Sequence, residues 1–178
     1  MLTGKNVTLE DMLACRERRA ALQQEYLTRL HQPLISFCLN IPGPVKTAPE
    51  LRKLFAEGRE AIFSVLAEEQ FQVLAKQESH ADTGDELLLC VESQDAAALK
   101  SRMAGIEENH LLGRLFDIDV LDAAGQKLSR PVFRLCLLCN RQAQECARSR
   151  HHTVPQLQAK ISDMLAAYYG GQAGSSEF

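Results

Sequence analysis

The sequence predicts an α+β fold, because segments of strand character and helix character follow one another in a recognisable order. Apolar runs of strand length occur four times in the middle of the chain, and amphipathic helical patterns separate them. The resulting order is strand, helix, strand, strand, helix, strand. This order is typical of the split βαβ arrangement called ferredoxin-like, a βαββαβ core with a mixed or antiparallel sheet. One further helix is predicted at each end of the chain.

The first helix is predicted over residues 8–30, where apolar residues recur near a helical period. Thr8 is placed to cap it, and Asp11 three positions on can close a capping box. A separate face of this helix carries the polar residues Arg16, Arg19 and Gln23. Such a face is either solvated or turned toward a ligand.

A strand and a second helix follow. The run PLISFCLNI at residues 33–41 predicts a strand that ends at a stiff Pro-Gly-Pro loop. The second helix is predicted to start at Thr47 and to reach about residue 69. Pro49 lies in its first turn and Glu50 would complete a capping box with Thr47.

Two strands are predicted at residues 71–78 and 86–92, with the polar segment HADTGD as the turn between them. Ser93 is placed to cap a third helix that extends to about residue 108. A fourth strand is predicted over residues 115–121. The segment DAAGQ then predicts a turn that returns the chain through residues 127–130 as a hairpin.

The last part of the sequence predicts two helices. A short one is expected over residues 140–150. The final helix is capped by Thr153, has Pro155 and Gln156 in its first turn, and is predicted to end at Gly170. Residues 1–170 are therefore expected to form a single domain, and residues 171–178 a flexible tail.

The composition indicates an ordinary soluble globular protein. The 178 residues are 46% hydrophobic and 24% charged, with a formal net charge of −3. A mildly acidic chain lacks the basic face of a dedicated nucleic-acid binder. Apolar runs are too short to span a bilayer, and the start of the chain lacks the apolar core of a signal peptide. We therefore expect a cytoplasmic protein that binds neither nucleic acid nor membrane.

Two aspartates one residue apart, Asp117 and Asp119, are the strongest functional signal. Side chains at positions i and i+2 of a strand point the same way, so both carboxylates are expected on one face. Two convergent carboxylates are a minimal site for Mg²⁺ in phosphoryl or nucleotidyl transfer. The alternative is a solvated sheet face, but the apolar neighbours of both acids favour a site.

Residues just before this strand are further candidates. Gly113 permits close backbone approach and Arg114 places a fixed positive charge beside the acids. His110 is either a capping residue or a group that contacts phosphate or transfers a proton.

The loop between the first strand and the second helix is a candidate phosphate site. It contains Asn40, Gly43 and Lys46, and it leads to a helix start with free backbone N–H groups. The alternative is that Pro-Gly-Pro serves only to turn the chain.

Six cysteines in a reducing compartment are expected to be thiols, metal ligands or core residues. Cys15, Cys38 and Cys90 fall within predicted elements and are expected to be buried. Cys136, Cys139 and Cys146, followed by a histidine pair, form a cysteine-rich subsite within residues 134–152 that can make a Cys3His zinc site. Plain packing and redox activity are the alternatives.

Four segments in the same order resemble one known family. They are PLISFCLNIPGPVK, LRKLFAEGREAI, HLLGRLFDIDVLDAAGQKLSR and RLCLLCNRQAQECARSRHH, which together span most of residues 33–152. The family is that of the citrate lyase holo-acyl-carrier-protein synthases, also called apo-citrate lyase phosphoribosyl-dephospho-CoA transferases. This chain has Leu111 where the family tends to have proline. The register of the last segment implies His152 as the fourth zinc ligand.

The resemblance implies a transferase that moves a triphosphoribosyl-dephospho-CoA group onto a serine of the citrate lyase acyl carrier protein and releases diphosphate. In this interpretation Asp117 and Asp119 hold Mg²⁺, Arg114 and Lys46 bind the triphosphate, and Asn40 and Gly43 shape the pocket. His110 and Gly113 are further candidates for substrate binding. A third carboxylate is left open among Asp122, Glu107 and Glu108. The alternative function is a non-catalytic protein-binding module that zinc stabilises.

Overall fold

The computed structural model describes residues 2–130 and 132–173, and it confirms the α+β class. The helices in these ranges are α1 (Leu9–Leu30), α2 (Pro49–Glu68), α3 (Ala96–Asn109), α4 (Ala143–Arg148) and α5 (Val154–Ala173). The strands are β1 (Leu34–Leu39), β2 (Gln72–Ala81), β3 (Gly84–Glu92) and β4 (Phe116–Leu121). A short 3-10 helix, Gly113–Leu115, leads into β4. None of the described helices combines the length and the apolar character needed to cross a membrane.

The four strands form one sheet in the order β2-β3-β1-β4, and every neighbouring pair is antiparallel. β1 is therefore a central strand, and β4 is an edge strand that pairs with β1 alone. The register places Cys38 of β1 opposite Glu86 of β3 on one side and Asp117 of β4 on the other. Side chains alternate between the two faces of each strand, so these three residues share a face.

One face of the sheet is the main hydrophobic core. Ile35 and Phe37 of β1, with alternate residues of β3 and β4, pack there against α2, α3 and α5. The rings of Phe37 and Phe55 stack with their centroids 4.9 Å apart, which fixes α2 over the sheet centre. This face of the sheet is therefore occupied by packed apolar side chains.

The opposite face is covered by α1 and is only partly apolar. Tyr26 and Leu27, in the second half of α1, pack on Leu34, Leu88 and Cys90 of the sheet. The first half of α1 lies over the polar ends of the strands instead. The fold thereby leaves a polar space between α1 and the sheet.

Helix α1 begins as predicted, whereas α2 does not. The Thr8 backbone N–H donates to Asp11 Oδ2 at 2.9 Å, and the Asp11 N–H donates to Thr8 Oγ1 at 3.1 Å. At α2 the expected capping box between Thr47 and Glu50 is wrong, since the N-cap is Ala48 and no side chain caps it. Pro49 holds the residue before it in an extended conformation, so the helix starts one residue later than the box requires.

Helix α3 also starts later than predicted. Its cap is Asp95, whose Oδ1 accepts from the Ala98 N–H at 2.9 Å. Ser93, the expected cap, accepts from the Asp95 N–H at 3.1 Å. The side chains of Ser93 and Asp95 thus stabilise the turn before the helix and the first turn of the helix, respectively.

The segment HADTGD is mostly strand rather than turn, because β2 and β3 extend to Ala81 and Gly84 and only two residues connect them. Gly84 has φ 117°, which such a tight connection requires. After β4 the expected turn forms, with the Gly125 N–H donating to Asp122 O at 2.9 Å. The returning hairpin is reduced to a single bridge between Leu121 and Lys127.

The end of α5 differs from the prediction. Gly170 does not stop the helix, which continues to Ala173. A glycine ends a helix by taking a left-handed conformation, and Gly170 has no positive φ. Residues 171–173 of the expected flexible tail therefore belong to α5, and residues 174–178 lie outside the described residues.

Candidate functional site

Asp117 and Asp119 lie on the same face of β4, the face that α1 covers. Asp117 is opposite Cys38, and Asp119 is opposite Ser36. The alternate residues of β4 are buried in the core on the other face. Both carboxylates are half-buried, which allows them to contact a ligand while the strand fixes their positions.

A third carboxylate lies in line with Asp117 across the sheet. Glu86, Cys38 and Asp117 occupy matching positions on β3, β1 and β4, and we call them the Glu86–Cys38–Asp117 row. Arg19 of α1 donates from Nε to Glu86 Oε1 at 2.7 Å, and the Cys15 thiol lies 3.3 Å from the same oxygen. Glu86 is therefore held in place by α1.

The Glu86–Cys38–Asp117 row forms the floor of a cavity of about 130 Å³ between α1, the sheet and the loop after β1. We call it the first cavity. Its basic lining residues are Arg16, Arg19, Lys46 and Arg52. Its acidic lining residues are Asp85, Glu86 and Asp117. A lining that contains both cations and carboxylates suits a polyphosphate that is bound together with a divalent metal ion.

The electrostatics of the first cavity follow from burial. Burial raises the pKa of the Asp117 carboxyl, and the charge of Asp119 adds to this effect. Burial also lowers the pKa of Lys46, with a further contribution from Arg16. The pKa of Cys38 is raised to about 12, mainly by burial, so its thiol stays protonated at neutral pH and is a poor nucleophile.

Asp119 lies beside the first cavity rather than in its lining. Its Oδ2 atom is 2.6 Å from Lys127 Nζ, and the Lys127 side chain is 62% exposed. An ion pair with an exposed lysine contributes little to the free energy of folding, so a metal ion can displace Lys127 from Asp119 at low cost.

The loop after β1 brings two of the three predicted residues to a cavity. Asn40 is fixed by its backbone N–H, which donates to Leu115 O at 2.8 Å, and it lines the first cavity. Lys46 also lines the first cavity, where its Nζ donates to Ile41 O at 2.5 Å. The two residues stand at opposite ends of the loop.

Gly43 is not among the residues that line the first cavity. It has φ 87°, and a Cβ atom at this position would lie 2.4 Å from Gln158 Nε2 and 2.8 Å from Val154 Cγ1. Glycine is required because the loop packs tightly against α5 in a left-handed conformation.

The structure separates Arg114 from Asp117. Arg114 lies in the 3-10 helix and lines a second cavity, of about 530 Å³, which Asn40 also lines. Arg134 lines the same space. Burial lowers the pKa of Arg114, and the charge of Arg134 lowers it further.

His110 and Gly113 line neither cavity. The His110 ring packs on Phe116 and Tyr168, and its Nδ1 accepts from the Leu112 N–H at 3.1 Å, which is a capping contact. A Cβ atom on Gly113 would lie 2.4 Å from Glu107 O, so this glycine serves close packing against α3. The structure therefore brings neither residue to Asp117.

The three carboxylates proposed from sequence as partners of the acid pair also lie elsewhere. Glu107 is buried against Arg130 and Arg134, and Glu108 is exposed. Asp122 Oδ1 accepts backbone N–H groups of the turn after β4. Glu86 was missed, although its position at the start of an apolar strand parallels that of Asp117.

The cysteine cluster is formed as predicted by the spacing of its members. One ligand atom from each of Cys136, Cys139, Cys146 and His152 lies within 4.8 Å of every other. His152 Nε2 is buried and has no hydrogen-bond partner among the described residues. The Leu138 N–H points to the Cys136 sulfur at 3.5 Å. Three thiols and an imidazole in this arrangement can hold a metal ion.

Cys15 and Cys90 are buried as predicted, whereas Cys38 is only half-buried because it lines the first cavity.

Comparison with known proteins gives a consistent family assignment. Residues 7–168 match the family model described as apo-citrate lyase phosphoribosyl-dephospho-CoA transferase. A protein of Vibrio cholerae serotype O1 (strain M66-2), named a probable apo-citrate lyase phosphoribosyl-dephospho-CoA transferase, is 38% identical over 92% of this chain and 94% of its own length.

Two enterobacterial proteins carry the same name without the qualifier. The Citrobacter koseri protein is 36% identical over 92% of this chain and 91% of its own length. The protein of Escherichia coli O7:K1 is 34% identical over 89% of this chain and 88% of its own length. The chain belongs to the family of apo-citrate lyase phosphoribosyl-dephospho-CoA transferases.

Proposed function

We propose that this protein transfers the triphosphoribosyl-dephospho-CoA group to a serine of the citrate lyase acyl carrier protein and releases diphosphate. The observation that carries this proposal is that Asp117 lines a cavity together with four basic side chains. Such a cavity suits a triphosphate, and the relatives that match almost the whole chain are named for transfer of this group.

In the proposed reaction the serine Oγ of the carrier attacks the phosphorus next to the ribose. The new Oγ–P bond forms as the bond from that phosphorus to the diphosphate oxygen breaks. The serine proton passes to a base or to water, and diphosphate leaves. Negative charge grows on the leaving oxygen, so cations around the triphosphate lower the barrier.

The residues of the first cavity would share this work. Lys46, Arg16 and Arg52 would bind the triphosphate, which needs several positive charges. Asn40 would lie at one end of the triphosphate site. Gly43 would allow the loop to pack closely against α5. Arg19 would keep Glu86 in place as a third carboxylate beside Asp117.

Asp117 and Asp119 would hold Mg²⁺, and this donor set fits because both are hard oxygen ligands on one face of β4. The bound ion would neutralise charge on the phosphate oxygens. Mg²⁺ commonly keeps several water and phosphate ligands, so two carboxylates with Glu86 nearby are sufficient.

The cysteine cluster would hold a structural zinc ion through Cys136, Cys139, Cys146 and His152. The donor set is closed, with no position left for substrate, and the buried His152 Nε2 needs a partner that a zinc ion provides. Zinc would thereby fix the connection between β4 and α5.

Protein purified without a histidine tag is expected to contain about one zinc ion per chain, and Cys139→Ser is expected to lose most of it. Chelation should lower the melting temperature of the wild-type protein. The matched control is Cys15→Ser, which alters a thiol far from the cluster and should keep the zinc. Less than about half an equivalent, with no effect of chelation on melting, would contradict the proposal.

Intact-mass spectrometry of the carrier protein tests the function itself. Incubation of the apo carrier with this protein, the donor and Mg²⁺ should increase the mass of the carrier. The increase should equal the mass of the donor minus the mass of diphosphate. A carrier whose acceptor serine is alanine should remain unmodified. Binding of the carrier without any change of mass would favour the zinc-stabilised binding module instead.

We also propose that the sheet belongs to the ferredoxin-like type, which the strand order β2-β3-β1-β4 and the antiparallel pairing support. A single transferase domain over residues 1–170 and a cytoplasmic location are further parts of the proposal.

A further inference from the structure

The second cavity lies next to the cysteine cluster and has the size of a small-molecule site. Its volume of about 530 Å³ falls in the usual range for ligand pockets of about 300–1,000 Å³. Leu137, Val154 and Leu157 give it apolar walls. Its basic lining residues are Arg114, Arg134 and Arg150.

The positive charge of this cavity is not balanced within the described structure. No aspartate or glutamate is among its described lining residues. Arg114 is half-buried and has no hydrogen bond or ion pair with any residue in the ranges 2–130 and 132–173. Arg134 and Arg130 both contact the carboxylate of Glu107, and Arg130 also pairs with Glu108. A half-buried guanidinium without an anion is costly, so an anionic ligand is expected beside Arg114.

A metal ion in the cysteine cluster would leave part of this charge unbalanced. Three thiolates and one Zn²⁺ ion together carry a charge of −1, whereas Arg134 is paired with Glu107 and Arg114 and Arg150 together carry +2. The cavity would remain cationic with the cluster filled.

The two cavities are neighbours. Asn40 lines both of them, and it directly follows β1, whose Cys38 lies in the first. Arg134 donates to Phe116 O at 2.8 Å, one residue before Asp117. The first cavity, of about 130 Å³, is too small for a whole nucleotide-containing donor, so most of such a donor must lie outside it.

We infer that the second cavity binds the adenosine diphosphate portion of the donor's dephospho-CoA moiety, while the triphosphate lies in the first cavity. The apolar walls would contact the adenine ring, and Arg114 and Arg150 would bind the diphosphate. This inference rests on the proposed function for the identity of the donor. Arg114 is thereby a donor-binding residue rather than a neighbour of the reacting phosphorus.

Isothermal titration calorimetry with dephospho-CoA alone tests the site, because this probe lacks the triphosphate. Wild-type protein should bind it, and Arg114→Gln should weaken binding by at least about tenfold, as expected for a lost charged hydrogen bond. Arg52→Gln changes an arginine of the first cavity and should alter the affinity by less than about twofold. In the transfer reaction Arg114→Gln should raise KM for the donor more than it lowers kcat.

A second variant tests the same cavity without changing an arginine. Ala147→Leu fills the second cavity from an exposed helix position that tolerates leucine, and it should also weaken dephospho-CoA binding by about tenfold. Wild-type affinity in both variants would overturn the inference even if transfer is normal. Binding that depends on Arg114 in a protein that modifies no carrier would instead keep this site and overturn the proposed function.

Discussion

Replacing Asp117 by asparagine is expected to lower the rate of group transfer by at least about a hundredfold, the scale of losing one electrostatic partner of the transition state. The amide has the shape of the carboxylate but no charge with which to hold Mg²⁺. Folding should be unaffected, because burial disfavours the charged form of this group and raises its pKa. Removing the charge therefore removes a penalty from the folded state. Initial rates of carrier modification by mass spectrometry measure the effect.

Asp119→Asn is expected to produce a comparable loss, since both carboxylates are proposed to hold the same ion. The control is Asp163→Asn, which makes the same chemical change on an exposed position of α5 and should keep transfer within about twofold of wild type. Urea unfolding of each variant checks that the fold is intact. Near-normal transfer by both Asp117→Asn and Asp119→Asn would refute the assignment of the metal site.

The features predicted correctly from sequence depend on local periodicity. The shared face of Asp117 and Asp119 follows from the two-residue repeat of a strand, and it needs no knowledge of the rest of the fold. The capping box of Thr8 and Asp11 is also local. The members of the cysteine cluster are brought together by the short segment at residues 136–139 and by α4, so their grouping is also local.

Features that depend on pairing between distant segments were missed. Glu86 joins Asp117 only through the register of β1 with both β3 and β4, and register is set by turns and by burial of whole strands. Arg114 illustrates the converse, because it is three positions from Asp117 in sequence. The 3-10 helix ends between them and turns Arg114 toward the second cavity. Proximity along the chain was a poor guide where the backbone changes direction.

The surface of α1 shows the same limitation. Its polar face could be read as solvated or as turned toward a ligand, and the helix pattern alone did not decide between them. The structure places Arg16 and Arg19 over the open end of the sheet, in the first cavity. That placement depends on Tyr26 and Leu27, which anchor the other half of α1 on the sheet.

Glu107 links helix α3 to β4 and to Arg134 of the second cavity. Its carboxylate is buried and contacts the guanidinium groups of Arg130 and Arg134, and it accepts the Ile118 backbone N–H at 2.9 Å. Arg134 in turn lines the second cavity. One buried side chain therefore ties α3 to β4 and to the segment that leads into the cysteine cluster.

Glu107→Ala is expected to lower the free energy of unfolding by about 3–5 kcal/mol, the usual cost of removing one partner from a buried ion pair. Two guanidinium groups would lose their common carboxylate, and the Ile118 N–H would lose its acceptor. Urea unfolding followed by circular dichroism measures this change as a shift in the urea concentration at the midpoint. The slope of the unfolding free energy against urea concentration should stay constant. Glu107→Gln retains an acceptor for Ile118, so the difference between the two variants separates the ion pair from the hydrogen bond.

The matched control is Glu25→Gln, which breaks an exposed pair with Arg29 on α1 and should change stability by no more than about 0.5 kcal/mol. If Glu107→Ala were no more destabilising than this control, the contacts with Arg130 and Arg134 would not hold the segment in place. The arrangement of the second cavity would then depend on the remaining contact of Arg134, its hydrogen bond to Phe116 O. A large loss of stability together with weaker dephospho-CoA binding in Glu107→Gln would connect the buried carboxylate to the donor site.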